Sequence, residues 1–135
     1  MALMKIGVPA APILPDIDGA PQWPAGVVGS MTHCAGYRAA AVTRSRALAG
    51  VGIDAEPHAP LPGAVHDVIL REEERSHLLT LAEARRELHW DRILFCAKEA
   101  VYKAVVSVDS AMAGLRGRVG HAPPRRHLRR TPACP

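Results

Sequence analysis

The chain of 135 residues is 48% apolar but only 4% aromatic, which indicates one globular domain with a largely aliphatic core. Its net charge of +4 is concentrated at one end, because residues 1–104 carry 11 basic and 12 acidic side chains whereas residues 105–135 carry 6 and 1. This distribution excludes a body that binds nucleic acid through a broad basic surface, and it confines the basicity to the tail.

The cysteines and the apolar segments of the sequence indicate where in the cell the protein is expected. Three cysteines, Cys34, Cys96 and Cys134, fit neither a disulfide framework nor a zinc motif. No apolar run is long enough to span a membrane, and prolines interrupt the N-terminal segment before a signal-peptide core develops. We therefore expect a cytoplasmic protein with no membrane partner.

The N-terminal part of the chain predicts a connector followed by a β-hairpin. Prolines recur through residues 1–29, which is typical of an extended connector. The stretch "YRAAAV" at 37–42 predicts one strand, and "AGVGIDAE" at 49–56 predicts a second strand that completes an antiparallel hairpin. The acidic pair Asp54 and Glu56 lies at the far end of this hairpin.

The C-terminal part predicts helices and then a tail. Acids and arginines three to four positions apart in residues 64–88 predict two helices with a break. Residues 89–106 predict one strong helix, since apolar side chains recur there at helical spacing. Residues 107–135 have almost no apolar periodicity, which predicts a disordered basic tail. The functional domain is therefore placed at residues 30–106, with an α+β fold in which a β-hairpin packs against helices. The recurring apolar residues of the strong helix are Ile93, Leu94, Ala97, Val101, Ala104 and Val105.

The acidic pair is the first candidate site. Side chains on a strand alternate between faces, so Asp54 and Glu56 are expected to point the same way and to repel each other. Such a pair needs a shared cation, a nearby base or open water. Glu99 follows on the helix between Lys98 and Lys103, where the simplest alternative is a surface ladder of ion pairs. If this helix packs over the hairpin end, three carboxylates meet at a divalent cation and the lysines face its anion, which predicts a phosphorylated substrate.

Three blocks carry a resemblance to a known family: "GSMTHC" at 29–34, "GIDAE" at 52–56 and "FCAKEAVYKA" at 95–104. "GIDAE" is similar to the G-[IV]-D-x-E block, and "FCAKEAVYKA" to the [FW]-[SC]-x-K-E-[AS]-x-x-K-A block, of the 4′-phosphopantetheinyl transferase superfamily. The chain resembles its surfactin and enterobactin synthetase type over about residues 5–104. This resemblance implies about one half of the two-half, pseudo-dimeric fold of that family, and so a truncated member.

The resemblance also implies a reaction and a metal. The reaction is transfer of the 4′-phosphopantetheine group from coenzyme A to a serine of an acyl or peptidyl carrier protein, which is holo-[acyl-carrier-protein] synthase activity. The metal is Mg²⁺, which Asp54, Glu56 and Glu99 would hold. Either Glu99 or a water that it orients would remove the proton from the attacking serine.

Further residues are implied for the binding of coenzyme A. His33, with Thr32 beside it, would contact a coenzyme A phosphate. Lys98 and Lys103 would bind the diphosphate and balance charge on the leaving group. Asp54 would reach the same diphosphate through the metal.

Two other functions stay open at the level of sequence. An inactive remnant would at most bind a carrier protein without modifying it. The arginine-rich tail would allow nucleic-acid binding, although no stacking aromatic residues accompany its arginines. Similarity alone favours siderophore assembly of the enterobactin kind over polyketide or other nonribosomal peptide biosynthesis.

Overall fold

The computed structural model describes the backbone of residues 2–116 and the side chains of residues 2–109. A two-stranded sheet and four helices make up this part of the chain. They are, in order, α1 (Ala2–Lys5), β1 (Val27–Cys34), β2 (Tyr37–Arg44), α2 (Gly63–Ile69), α3 (Glu72–Ala84) and α4 (Trp90–Arg116). The predicted α+β class, with a β-hairpin beside helices, is confirmed.

The sheet is a hairpin that a two-residue turn closes. β1 and β2 pair antiparallel up to Cys34, which lies opposite Tyr37. Gly36 in the turn has φ of +74°, a conformation that glycine adopts without steric cost. The predicted pairing of residues 37–42 with 49–56 is wrong. The strand pairs instead with "VVGSMTHC" immediately upstream, because the turn between them is far shorter than the alternative loop.

Part of the predicted connector, residues 1–29, is regular structure. α1 occupies its start, and β1 already begins at Val27. Arg44 at the end of β2 connects the hairpin to the residues that follow α1. Its Nη2 donates to the carbonyl oxygens of Ile6 (3.0 Å) and Gly7 (3.2 Å). The leading segment therefore folds back onto the hairpin.

The segment that carries the acidic pair, residues 51–56, lies beside β1 but is not assigned as a strand. Hydroxyl groups of β1 take the place of a backbone ladder. Ser30 Oγ accepts a hydrogen bond from the amide of Ile53 (3.1 Å), and Thr32 Oγ1 accepts one from the amide of Ala55 (3.0 Å). The two inward-facing hydroxyls of β1 thus fix where the acidic residues lie.

Two glycines allow the same stretch of chain to lie directly on α4. A Cβ atom on Gly52 would overlap the carbonyl oxygen of Ala100, and one on Gly50 would lie 2.6 Å from that of Ala104. Only a residue without a side chain permits this approach. The acidic segment is therefore held between β1 on one side and α4 on the other.

The helices after this segment match the sequence pattern closely. The predicted pair of helices with a break corresponds to α2 and α3, and the predicted strong helix corresponds to α4. The predicted disordered tail, residues 107–135, begins too early, because α4 continues to Arg116. This extension contains no proline and several good helix formers. The rest of that prediction, residues 117–135, lies outside the described residues. Within the described ranges, no helix combines the length and apolar content that a bilayer crossing requires.

Buried apolar side chains occur on α1, on β1, in the loop before α2 and at the end of α2. Val28 on β1 is the most buried of them, at 2% exposure. Three residues of the apolar stripe of α4 that the sequence reveals, Ile93, Val101 and Val105, are exposed and do not belong to this core. The face of α4 that packs carries small side chains, Ala100 and Ala104, under the glycines. The other buried apolar residues are Leu3, Val27, Leu61 and Leu70.

Candidate functional site

Asp54 is the most buried acidic side chain of the candidate site, at 6% exposure. Its Oδ1 accepts hydrogen bonds from Lys103 Nζ (2.6 Å) and from Thr32 Oγ1 (3.1 Å). Its Oδ2 is buried, and no hydrogen-bond partner for it is found among the described atoms. A buried carboxylate oxygen without a partner is costly, and a cation is the kind of ligand that removes this cost.

Glu56 is held by a different cation. Arg92 of α4 donates from Nη1 to Glu56 Oε2 (2.8 Å), and both side chains are largely buried. The same guanidinium donates from Nε to the carbonyl of Ala59 (3.0 Å) and from Nη2 to that of Pro60 (2.9 Å). Arg92 therefore fixes both the acid and the loop that follows it, and the sequence prediction did not include this residue.

Glu99 lies on α4 within the electrostatic reach of the other two acids. Burial raises the pKa of Glu99, the negative charge of Asp54 raises it further, Lys103 partly offsets this, and Glu56 adds a smaller increase. The three predicted carboxylates therefore share one environment. In the part of the chain whose side chains are described, no three acidic, histidine or cysteine side chains are gathered closely enough to hold a metal ion.

One donor of this group has the chemistry that a hard divalent cation requires. Carboxylate oxygens are the ligands that Mg²⁺ prefers, and the unpartnered Oδ2 of Asp54 is one such oxygen in a buried position. Lys103 supplies positive charge to Asp54 in this arrangement, and Arg92 supplies it to Glu56. The two acids that sequence reasoning expected to share one cation are thus each paired with a basic side chain of α4.

Cys96 is a member of the site that the sequence prediction missed. Burial raises the pKa of its thiol to about 11, and the negative charge of Asp54 contributes to the rise. Cys96 precedes Glu99 by three positions, which places both on one face of α4. This spacing was the available signal for its position, and the raised pKa indicates that the thiol beside the acids is neutral.

Lys98 does not face the acidic pair. Its Nζ donates to Glu74 Oε2 (2.6 Å) and to the carbonyl of Ile69 (2.7 Å). Glu74 Oε2 also accepts from the amide of Arg71 (2.8 Å), which caps the start of α3. Lys98 thus joins α4 to the junction of α2 and α3. The prediction that it binds the diphosphate stays a prediction, and the structure gives this lysine other partners.

Thr32 and His33 are neighbours in sequence but lie on opposite faces of β1. Thr32 is buried and reaches Asp54, whereas His33 is exposed. Their predicted joint contact with a coenzyme A phosphate stays a prediction. The alternation means that one phosphate group would have to approach the two side chains from different sides of the strand.

Comparison with known proteins identifies the family in which this site occurs. Residues 50–122 match the family model of the 4′-phosphopantetheinyl transferase superfamily, which covers the acidic segment and α4. Residues 1–43 match the model of the 4′-phosphopantetheinyl transferase N-terminal domain. Residues 44–49, between the two matches, lie inside the predicted domain of residues 30–106. The chain belongs to the 4′-phosphopantetheinyl transferase superfamily, as its motifs predicted.

Individual relatives agree with the family models. The chain is 58% identical over 104 residues to the 4′-phosphopantetheinyl transferase PptT of Mycobacterium tuberculosis, with 77% of this chain and 45% of the relative covered. It is 54% identical over 103 residues to the transferase Svp of Streptomyces mobaraensis, with 76% and 42% covered. It is also 54% identical over 104 residues to the transferase Npt of Nocardia iowensis, with 77% and 46% covered. The chain therefore spans less than half the length of these curated relatives.

Proposed function

We propose that this chain transfers the 4′-phosphopantetheine group from coenzyme A to a serine hydroxyl of a carrier protein, in a reaction that depends on Mg²⁺. Family membership supports the reaction class, since three relatives are named as transferases of this group. The observation that carries the proposal is Asp54, a buried carboxylate with one oxygen held by Thr32 and Lys103 and the other without a partner.

Asp54, Glu56 and Glu99 are the residues that would hold the metal. When bound, Mg²⁺ neutralises a diphosphate so that a nucleophile can approach phosphorus. Glu99 would also accept a proton, either directly or through a water that it orients. A bound cation lowers the pKa of a carboxylate that it contacts, so the route through a water is an equal candidate.

The proposed step forms a bond from the serine oxygen to the phosphorus that bears the pantetheine arm. The bond from this phosphorus to the oxygen of 3′,5′-ADP breaks, and its electron pair leaves with the nucleotide. Glu99 receives the serine proton. Lys103 lies 2.6 Å from Asp54, and its ammonium group would balance the charge that develops on the leaving phosphate.

Roles in binding complete the proposal. Coenzyme A would enter as the substrate and meet Lys103 at its diphosphate. His33 is exposed on β1 and therefore accessible to a phosphate group. Lys98 would contribute only if coenzyme A displaced its bonds to Glu74 and Ile69.

The test measures transfer of the 4′-phosphopantetheine group, from coenzyme A labelled in that group, onto an apo carrier protein by the full chain, with Mg²⁺ and with EDTA. We expect Mg²⁺-dependent labelling that Glu99→Gln abolishes and that Glu83→Gln, an exposed change on α3, leaves intact. Carrier-protein binding without labelling would contradict the proposal and support the alternative of an inactive binding module. Labelling in EDTA would contradict the metal part.

The same assay addresses the finer parts of the proposal. We propose a cytoplasmic enzyme acting on carrier domains of siderophore, polyketide or nonribosomal peptide synthases. Separate apo carrier domains from siderophore peptide, polyketide and fatty-acid synthases, compared at equal concentration, would rank these substrates. A preference for the fatty-acid carrier would contradict the assignment to secondary biosynthesis.

A further inference from the structure

Thr32 makes two hydrogen bonds that serve different purposes. Its Oγ1 accepts from the amide of Ala55 (3.0 Å), which holds the acidic segment beside β1. The same hydroxyl donates to Asp54 Oδ1 (3.1 Å), which acts on the carboxylate itself. Thr32 is 7% exposed, so water does not readily replace either bond.

The second of these bonds decides which oxygen of Asp54 is free. Oδ1 accepts from Thr32 and from Lys103, so both donors converge on one oxygen. Oδ2 is left buried without a partner among the described atoms. With Oδ1 anchored at two points, the plane of the carboxylate is fixed and Oδ2 has one defined direction.

Lys103 alone would fix this direction poorly. A lysine side chain is a flexible four-carbon chain, and its ammonium group can move with the atom it binds. A threonine is β-branched, so its χ1 angle is restricted. The Lys103 side chain is also about a third exposed, at 31%, while Thr32 is enclosed. The rigid donor therefore sets the geometry, and the flexible donor supplies charge.

Ser30 provides an internal comparison. It lies two positions before Thr32 on the same face of β1 and is equally buried, at 3% exposure. Its Oγ accepts from the amide of Ile53 (3.1 Å), as Thr32 does from Ala55, but its donor bond goes to the carbonyl of Ile53 (3.5 Å). Ser30 therefore attaches the segment to the strand without touching the acid.

We propose that Thr32 is a positioning residue whose hydroxyl orients Asp54 so that Oδ2 is presented to a divalent cation. This inference rests on the metal part of the proposed function. It replaces the phosphate contact that the family resemblance implies for Thr32 with a role that acts through Asp54. Outer partners of metal-ligating side chains commonly change metal affinity about tenfold or more when they are removed.

The test measures Mn²⁺ affinity of the full chain, by electron paramagnetic resonance titration after removal of metal with EDTA. Thr32→Val keeps the shape of the side chain and removes the hydroxyl, and we expect it to weaken Mn²⁺ binding about tenfold. Thr32→Ser keeps the hydroxyl and should stay within about twofold of wild type. Ser30→Ala is the matched control that loosens the segment without touching Asp54, and it should also retain affinity.

Each other result overturns the inference in a recognisable way. Equal Mn²⁺ affinity in Thr32→Val and wild type removes the role of the hydroxyl and leaves the proposed function intact. An equal loss in Ser30→Ala assigns the effect to the attachment of the segment. Absence of Mn²⁺ binding in wild type removes the metal part of the proposed function and this inference with it. Circular dichroism checks folding, and Thr32→Ala takes the place of the valine variant if that variant is unfolded.

Discussion

At the scale of single residues, the surroundings of Glu99 make the stability of the metal-free protein depend on pH. Burial and the charge of Asp54 raise its pKa above the ordinary 4.5. An acid whose folded pKa is raised binds protons more tightly in the folded state. It therefore costs stability as the pH rises from the ordinary value through the raised one.

Glu99→Gln removes this cost. We expect the variant to be more stable than wild type at pH 7 without metal, and the difference to shrink towards zero below about pH 4, where the acid is protonated in both states. Urea unfolding at a series of pH values in EDTA measures it. Glu73→Gln, an exposed change in the first turn of α3, should give no such gain. A constant difference across the pH range would contradict the assignment.

Cys96 gives a second prediction at this scale. Its pKa of about 11, against an ordinary 9.0, corresponds to about a hundredfold less thiolate at pH 8. We expect slow alkylation of Cys96 by iodoacetamide, with a rate that rises until the pH passes about 11. Peptide mass mapping follows the rate, and the protein in denaturant is the control. Asp54→Asn should speed the reaction moderately, since burial is the larger cause, and an unchanged rate would show that the acid does not act on the thiol.

At the scale of elements, charged side chains at the start of α4 hold the end of the acidic segment in place. Arg92 connects α4 to Glu56 and to two carbonyls of the following loop, and Asp91 Oδ2 accepts from the amide of Leu61 in the same loop (2.8 Å). The start of the helix thus sets the end of the acidic segment. The planar guanidinium of Arg92 makes its three hydrogen bonds at the same time, in a fork geometry that the ammonium group of a lysine does not offer.

Arg92→Lys should therefore destabilise the protein by about 2 kcal/mol, the order expected for losing hydrogen bonds between charged, largely buried groups. Urea unfolding measures this loss, and limited proteolysis should cut the loop at residues 57–62 faster. Arg85→Lys is the control, because its ion pair with Glu87 is exposed and contributes little. Equal stability of the two variants would show that the fork geometry of Arg92 is unimportant.

Lys98 offers a test between a structural and a substrate role. The hydrogen bond from its ammonium group lowers the pKa of Glu74, and the hydrogen bond from the amide of Arg71 lowers it further. The pair of Lys98 and Glu74 therefore stabilises the protein at pH values above the ordinary pKa of 4.5. This stability is lost as the pH falls through the lowered pKa. We expect Lys98→Met to lower the unfolding midpoint at pH 7 and to match wild type in strong acid. Isothermal titration with coenzyme A is the second measurement. A large loss of coenzyme A affinity without a loss of stability would support the diphosphate role and contradict the structural one.

The elements also show what a sequence can and cannot predict. Asp54, Glu56, Glu99 and Lys103 are recognisable because their spacing within short blocks is independent of tertiary structure. The partners Arg92 and Glu74 are separated from Glu56 and Lys98 by 36 and 24 positions, so only the packing of the helices brings them together. The hairpin was misassigned because strand propensity does not state which neighbour a strand pairs with, whereas the turn at Gly36 does.

At the scale of the whole molecule, apolar side chains are divided between a small core and an open surface. Val28 on β1 is 2% exposed, whereas Val101 and Val105 on the outer face of α4 are 65% and 54% exposed. Buried area stabilises the fold in proportion to the apolar surface removed from water. The outer stripe therefore contributes little to folding and leaves apolar surface in contact with water.

The double change Val101→Glu with Val105→Lys tests whether the exposed apolar face of α4 contributes to folding or only to contact with water. The new pair lies one helical turn apart with the acid first, the favourable order for an ion pair on a helix, so we expect unchanged or slightly higher stability. We also expect the variant to stay free of aggregates at higher concentration, as light scattering during concentration would show, because apolar surface has been removed. Val28→Ala, by contrast, should cost about 2 kcal/mol because it leaves a cavity in the core. If the double variant lost as much stability as Val28→Ala, the outer face of α4 would have to be packed in solution, and the division between core and surface described for these residues would be wrong.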